Sequence, residues 1–257
     1  MHPASELRLR RFEGRSIFVS GAASGIGRAT AERFGKEGGR VACADVNLPG
    51  AEETAATIRA AGGDAFALPC DVTNPGAVTE AIAETVRRNG GLHVLANVAG
   101  TGFFRRTTET TLDEWNRLIA VNLTGQFLTC KEAIPHLLKA KGAIVNTASV
   151  AGLKSHPYSA AYCASKGGVV QLTRALAVEY GRKDVRINCV CPGGVETPLI
   201  AKFTLPEGVS QAALTRILPL GRMGKPDEVA GTIAFLASDD AAYVNGATIV
   251  VDGGMIA

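Results

Sequence analysis

The sequence predicts an α/β fold, a doubly wound parallel sheet with helices on both of its faces. Three observations lead there. Short β-rich runs alternate with helical runs between residues 16 and 251, the order that builds parallel sheets through helical crossovers. The strand runs, such as Ile17-Phe18-Val19, are apolar at consecutive positions, as strands buried on both faces must be. Polar residues follow three of these runs, as Asp45, Asp71 and Asn97, and such sheets bind ligands beyond the carboxyl ends of their strands.

The first strand, residues 16–20, leads directly into Gly21-Ala22-Ala23-Ser24-Gly25-Ile26-Gly27. A helical pattern over 28–37 stops at Gly38-Gly39, and a second strand over 40–44 ends at Asp45. An alanine-rich helix over 49–61 is stopped by Gly62-Gly63. A strand over 64–68 precedes Cys70-Asp71-Val72-Thr73, and a helix over 74–89 precedes a strand over 92–96 and Asn97-Val98-Ala99-Gly100. Residues 112–139 form a long helical region containing Asn122, a residue that is neutral to unfavourable inside a helix. The next strand, 142–148, places Ser149 at its carboxyl end, and a helix follows over 159–181. An apolar strand over 185–191 runs into Pro192-Gly193. A helix over 226–236 opens with Asp227-Glu228, suited to the positive end of its dipole, and a last strand covers 245–251. No repeat or linker interrupts the chain, so residues 1–257 are read as a single domain. Residues 1–14 are expected to be a mobile arm. The proline- and glycine-containing stretch 198–224 is long for a connection and is expected to be a substrate loop or lid.

Composition excludes several classes. A net charge of +3 is too small and too dispersed for nucleic-acid binding. No apolar stretch approaches the roughly 20 residues that span a bilayer, and the basic N-terminal segment lacks the apolar core of a secretory leader. The six cysteines contain no Cys-x-x-Cys pair and the four histidines are scattered. Buried free thiols, no metal and a reducing cytoplasm are therefore expected.

The glycine-rich turn carries the first functional signal. A strand-to-helix turn that approaches a pyrophosphate must bend sharply and expose backbone, which side chains would block. The helix start beyond it offers free N–H groups and a positive dipole end. Here a strand precedes the turn, a helix follows it, and Asp45 ends the next strand about 20 residues on. No Gly-Lys-Ser/Thr follows, which excludes a P-loop. A carboxylate at the position of Asp45 accepts hydrogen bonds from a ribose 2′-hydroxyl and repels a 2′-phosphate. Neither Ser24 nor residues 43–48 supply a positive charge, so NAD is expected over NADP.

The second signal lies in residues 149–166, SVAGLKSHPYSAAYCASK. Tyr162 and Lys166 stand one helical turn apart, on one face and roughly 5–6 Å apart at Cβ. A neighbouring cation favours a phenolate, bringing a phenol of pKa about 10 towards the range of neutral acid–base catalysis. Ser149 is placed to orient a carbonyl or alcohol oxygen. Tyr-x-x-x-Lys alone is a weak pattern, and a surface helix with a solvated lysine would read the same.

Taken together, these residues resemble the short-chain dehydrogenase/reductase family from about residue 12 onward. The resemblance rests on Gly21-x-x-x-Gly25-Ile26-Gly27, Asp71-Val72, Asn97-x-Ala99-Gly100, Asn122, Ser149, Tyr162-x-x-x-Lys166 and Pro192-Gly193. It implies a Rossmann-type sheet of seven strands in the order 3-2-1-4-5-6-7. It also implies a catalytic tetrad of Asn122, Ser149, Tyr162 and Lys166. Tyr162 would be the general acid–base, Lys166 would lower its pKa and hold the nicotinamide ribose, Ser149 would bond the reacting oxygen, and Asn122 would hold a water of a proton relay. Tyr158 is excluded because the residue four positions on is Tyr162 and not lysine. For the cofactor, the resemblance assigns Ser24 and the glycine turn to the pyrophosphate side, and Asp71 and Val72 to adenine. Asn97, Ala99 and Gly100 fall on the adenosine side, with Val195 and Thr197 near the carboxamide. Ser20 stands where threonine is usual, and Val98 where a second asparagine is usual.

The implied activity is NAD-linked interconversion of a secondary alcohol and a ketone, in a cytoplasmic homotetramer that contacts neither nucleic acid nor membrane. The helices around 112–139 and 160–180 and the C-terminal strand would form its interfaces. Two alternatives remain: an NADPH-dependent 3-oxoacyl-carrier-protein reductase, and a non-catalytic cofactor-sensing protein. The substrate pocket is expected from residues 101–104, 151–155 and 198–224. Phe103, Phe104, Leu153, Leu199 and Phe203 are its apolar candidates, and the substrate itself stays open.

Overall fold

The computed structural model describes residues 10–201, 203–209 and 219–257. Seven strands form one sheet in the order β3-β2-β1-β4-β5-β6-β7, and every neighbouring pair is parallel. They are β1 (Ser16–Ser20), β2 (Arg40–Asp45), β3 (Asp64–Pro69), β4 (Val94–Asn97), β5 (Ala143–Thr147), β6 (Arg186–Pro192) and β7 (Thr248–Val251). The crossovers are α1 (Gly25–Lys36), α2 (Leu48–Ala60), α3 (Pro75–Asn89), α4 (Leu112–Ile119), α5 (Gly125–Ala140), α6 (Ala160–Tyr180), α7 (Pro198–Ala201) and α8 (Pro226–Ala237). The fold class and strand order implied by the resemblance are both found.

The consecutive apolarity of the strands has a direct cause. In β1, Ile17 and Val19 join a core shared with Phe34 of α1, Ile58 of α2 and Ile233 of α8. Phe18 points the other way, into a core with Ile82 of α3, Leu137 of α5 and Ala177 of α6. Alternate side chains of a strand face opposite sides, so both sides of this one must be apolar.

Helix starts follow local chemistry. The Asn74 side chain accepts hydrogen bonds from Gly76 N and Ala77 N at 2.9 and 3.2 Å, with proline in the first turn of α3. Thr111 and Glu114 form a capping box ahead of α4. Between α4 and α5 the helix does not stop. It widens into a π turn, Ala120–Thr124, with Asn122 fully buried inside it. Such bulges commonly mark functional sites.

One expectation is corrected. Residues 10–14 are not part of a loose arm. Phe12 is fully buried, edge-on to Phe34 at 4.8 Å between ring centroids. Arg11 makes two hydrogen bonds to the buried Glu37 carboxylate, at 2.7 and 2.9 Å. Apolar burial and a two-point charge-assisted pairing hold this stretch against α1. Residues 1–9 lie outside the described residues.

Candidate active site

The sheet reverses direction of travel between β1 and β4, where the order places strand 1 beside strand 4. A crevice opens there beyond the strand ends, as expected of a topological switch point. It is a cavity of about 1420 Å³ that reaches from Asp45 and Asp71 at one end to Tyr162 and Phe203 at the other. Among the site residues expected from the sequence, all but two line it. The exceptions are Asn97 and Asn122.

The glycines each answer a separate packing demand. Gly21 has φ +73°, and a Cβ there would sit 2.7 Å from the Ala99 backbone. A Cβ on Gly27 would lie 1.9 Å from the Gly21 carbonyl oxygen. Gly25 has φ +54° and faces Thr197 across the cavity at 3.2 Å from the would-be Cβ. Removing side chains at these points lets α1 begin against the strand end. Ser24 gives that first turn no side-chain cap, so its N–H groups are left for a ligand. Ser20 takes over the role of threonine, its hydroxyl accepting from Val98 N and Ala99 N at 3.1 and 3.3 Å.

Asp45 is held rigidly. Its carboxylate accepts from Ala23 N at 3.0 Å and from Asn47 N at 2.8 Å, which fixes it beside the glycine turn. Arg28, one residue past the turn, donates to Ala23 O at 2.8 Å and pairs with Glu53 at 3.0 Å. The glycine turn, an uncapped helix start and a fixed carboxylate fit the two ends of an adenosine pyrophosphate. At the adenine end, Asp71 accepts from Thr73 N and Thr73 Oγ1 at 2.9 and 2.7 Å. Val72 is buried against Gly125.

At the other end, Ser149, Tyr162 and Lys166 share one wall. Ser149 follows β5, and its hydroxyl accepts from Ala151 N at 3.1 Å and is hydrogen-bonded to Tyr162. Gly152 makes this approach feasible, since a Cβ there would meet the Lys166 backbone at 2.6 Å. Tyr158 sits in the turn before α6 with φ +62° and does not line the cavity. Lys166 is buried, donates to Thr147 O at 2.8 Å and lies 5.8 Å from the Tyr162 ring centroid.

The electrostatics differ from the expectation in one respect. Burial pushes the Tyr162 phenol up, offset in part by its bond to Ser149, and Lys166 does not figure in the shift. The lysine is itself pushed down by burial, to about 8, so its charge is only marginally held. This carries a stability prediction. Between pH 8 and the usual lysine value of 10.5, the unfolded chain binds the proton that the folded chain has lost. Stability therefore rises with pH across that window, by up to about 1.4 kcal/mol per unit. Denaturant melts of the native protein and Lys166→Met should show a gap that moves in favour of the native protein from pH 7.5 to 9.5. A gap independent of pH would contradict the shift.

Asn97 is corrected from a cofactor contact to an internal support. Its side chain donates to Asn146 Oδ1 at 2.9 Å and accepts from Thr129 Oγ1 at 2.7 Å. Asn146 passes the network on to Thr173 of α6 at 3.0 Å. Four elements, β4, α5, β5 and α6, are thus tied beneath the site through fully buried amides. Asn122 lies behind the cavity floor. Its oxygen accepts from Thr101 N at 2.8 Å, and its amide donates to Thr101 O at 2.9 Å and Ser165 Oγ at 3.1 Å. Both amide hydrogens are committed, so the side chain has only an acceptor left for the expected water.

The substrate end is built from Phe103, Phe104, Leu199 and Phe203 as expected, whereas Leu153 is exposed and turned away. Residues 151–155 do not contribute; Val150, His156 and Ser159 do. Met223 falls within the expected stretch 198–224, whereas sequence reading missed Met255 of the lining. For Met255 the signal was Gly253-Gly254, whose φ values of +64° and +88° turn the C-terminal tail back onto the cavity. The expected loop over 198–224 is anchored at both ends. Gly224 N donates to Gly194 O and Glu196 N to Gly224 O, each at 2.9 Å. Residues 202 and 210–218 of it lie outside the described residues.

Comparison with known proteins agrees with this geometry. A family model described as enoyl-(acyl carrier protein) reductase matches residues 21–256. The chain is 43% identical over 247 residues to meso-2,3-butanediol dehydrogenase of Serratia marcescens, covering 96% of each chain. It is 41% identical over 245 residues to cyclohexanol dehydrogenase of Acinetobacter sp. (strain SE19), covering 95% of each. Among solved structures it resembles 3-ketoacyl-(acyl-carrier-protein) reductase from Brucella melitensis complexed with NADH. That match has a TM-score of 0.86 and 32% identity, over 95% of this chain and 98% of that one. A Ser149–Tyr162–Lys166 wall facing a glycine-turn nucleotide crevice, in a chain that aligns end to end with such enzymes, leads to one conclusion: the chain belongs to the short-chain dehydrogenase/reductase family.

Proposed function

We propose that the protein interconverts a secondary alcohol and a ketone with NAD as the hydride partner. The observation that carries this reading is that Ser149, Tyr162 and Lys166 line the same cavity as Asp45, at opposite ends of it. When bound, NAD takes or gives hydride at its nicotinamide ring. The chain's residues supply the rest. Tyr162 exchanges the proton at the substrate oxygen, which general acid–base catalysis makes worth about 10²–10⁴ in rate. Ser149 hydrogen-bonds that same oxygen and holds the Tyr162 hydroxyl in line. Lys166 supplies a positive charge under the ring while it stays protonated, and its bond to Thr147 O aims it. Asn122 keeps Thr101 in place on the floor. A cofactor-sensing protein without chemistry would have no need of this wall.

NAD over NADP rests on Asp45. Its carboxylate is fixed by two backbone N–H groups, and Arg28 is already paired with Glu53. A 2′-phosphate would meet the negative charge of Asp45, and the nearby Arg28 is engaged by Glu53. Asp45→Ala should weaken NADH binding by about tenfold and narrow the preference over NADPH, as one hydrogen-bonding carboxylate is lost. Titration calorimetry with both cofactors checks this. Equal affinity of the native protein for NADH and NADPH would overturn the assignment.

A carrier-protein reductase is the second reading, favoured by the description of the family model and by the Brucella melitensis structure. Arg105 and Arg106, which follow Phe104, are paired with Glu114 at 3.0 Å and Glu109 at 3.2 Å, which reduces the free positive charge there for an acidic carrier. A small alcohol is the better fit. The homotetramer belongs to the same proposal, supported by exposed Trp115, Phe127 and Val178 on α4 to α6 and exposed Val250 on β7. A cytoplasmic site is supported by six free cysteines. Among the described residues no helix is long and apolar enough to cross a membrane.

A further inference from the structure

We infer that Phe203 is a specificity-determining wall for the substrate, seated in a slot that Gly102 keeps open beside Tyr162. The inference rests on the alcohol–ketone reading above and names the class of alcohol, a compact, uncharged, apolar one.

Phe203 follows the one-turn helix α7, its N–H donating to Ile200 O at 3.1 Å. Its ring meets Phe104 edge-on, with centroids 4.9 Å apart and planes at 68°. It meets Tyr162 in the same manner at 6.3 Å and 77°. Edge-to-face contacts of this kind have a preferred geometry, so the three rings fix one another's orientation. Beneath them is Gly102. A Cβ there would lie 2.7 Å from Phe203 Cζ and 3.2 Å from Tyr162 Cδ2. The absence of a side chain at 102 is what allows the phenylalanine edge to descend to the level of the tyrosine.

Two further contacts hold the arrangement from outside. Arg106 donates to Glu207 O at 2.8 Å, joining the stretch after Phe203 to the stretch after Phe104. Arg105 N donates to Tyr158 O at 2.6 Å, joining the latter to the turn that opens α6. Three loops distant in sequence thus converge on the tyrosine that handles the proton.

The consequence is steric and chemical. With aromatic edges closing one flank of Tyr162, a substrate carbon skeleton has to lie on the Ser149 side. The cavity's other large apolar linings include Leu199, Met223 and Met255. Neutral polar side chains of the cavity outside the Ser149, Tyr162 and Lys166 wall include Thr101, His156, Ser159 and Thr204, and among the described residues its carboxylates are Asp45 and Asp71, at the nucleotide end. A short aliphatic or single-ring alcohol fits that space. A polycyclic alcohol needs Phe203 to move, and a polyol would leave its outer hydroxyls against aromatic edges without partners.

The test compares cyclohexanol with a steroid-sized secondary alcohol, using native protein, Phe203→Ala, Phe203→Leu and Gly102→Ala. Native protein should favour cyclohexanol. In Phe203→Ala, kcat/KM for cyclohexanol should fall by about tenfold through KM, while that for the polycyclic alcohol rises, as expected when a wall of several carbons is removed. Phe203→Leu should fall between. Gly102→Ala should move the preference the same way by lifting the ring, although it leaves Phe203 intact. The KM for NAD should stay within about twofold in all three variants, as none alters the nucleotide end. A parallel fall for both alcohols, or a change in NAD KM with no change in preference, overturns the wall. If native protein oxidises neither alcohol, the activity reading fails separately. Titration of cyclohexanone into NADH-loaded protein then decides: binding that Phe203→Ala weakens supports the wall, and binding that is unaltered or absent overturns it.

Discussion

Tyr162→Phe should lower kcat by about 10²–10⁴, the contribution of a positioned acid–base group. The size of the effect follows from how little else changes. The substitution removes one oxygen and keeps the ring, so the edge contact with Phe203 at 6.3 Å survives. The lost hydroxyl is one whose ionisation burial already disfavours and whose partner is Ser149. Ser149 keeps its bond from Ala151 N, so the wall does not collapse. Stability should therefore stay within about 1 kcal/mol, and NADH affinity should be nearly unchanged. Steady-state NADH absorbance, read beside a thermal melt and an NADH titration, separates these quantities. Full turnover by the variant would remove Tyr162 from the mechanism.

Gly27→Ala should abolish the nucleotide site by a different route. The new Cβ would lie 1.9 Å from the Gly21 carbonyl oxygen, 2.6 Å from its carbon and 3.2 Å from Ala22 N. All three are backbone atoms of the turn, so no side chain can swing aside. Helix α1 has to lift away from the end of β1. Overpacking of this kind costs about 1–3 kcal/mol or more. It also displaces the N–H groups that face the pyrophosphate, so NADH affinity should fall at least about a hundredfold, equivalent to losing two or more charge-assisted hydrogen bonds. Gly25→Ala makes the contrast. Its Cβ meets the Thr197 side chain at 3.2 Å, which can shift, and the main penalty is φ +54°, about 1–2 kcal/mol. Denaturant melts and NADH calorimetry on the pair should rank Gly27→Ala as the more damaging in both. Normal NADH binding by Gly27→Ala would contradict the close approach.

The residues that could be read from the sequence are those whose chemistry is local. Gly21, Gly25 and Gly27 announce a turn because a side chain there meets backbone or strains a positive φ, and Asp45 announces itself as the acid at the end of an apolar run. Tyr162 and Lys166 are legible from one helical turn of spacing. Residues whose role depends on direction were not. Asn97 ends a strand whose alternation turns it inward to Thr129 and Asn146; a side chain's face at a strand end is decided by the pleat, not by the motif around it. Asn146 was passed over as one polar residue in an apolar strand, although its partners come from β4 and α6. The π turn that carries Asn122 inward has no simple sequence signature. Phe12 looked like part of a basic tail because its partner, Phe34, is reached only after the chain has folded back. The Tyr162 shift was expected downward from its lysine neighbour, and burial outweighs that neighbour.

The tie between Gly194, Glu196 and Gly224 has a bearing on redesign and on divergence among relatives. Both ends of the stretch between them are clamped to each other, so changes of length or content inside it need not be transmitted to β6 or α8. The entropy of closing such a loop grows slowly, by about 0.6 kcal/mol for each doubling of its length. The segment therefore behaves as an exchangeable cassette mounted on a fixed frame. Transplanting it between family members, cut at residues 198 and 224 so that Thr197 stays with the host, should transfer substrate preference while leaving proton transfer and nucleotide binding with the host.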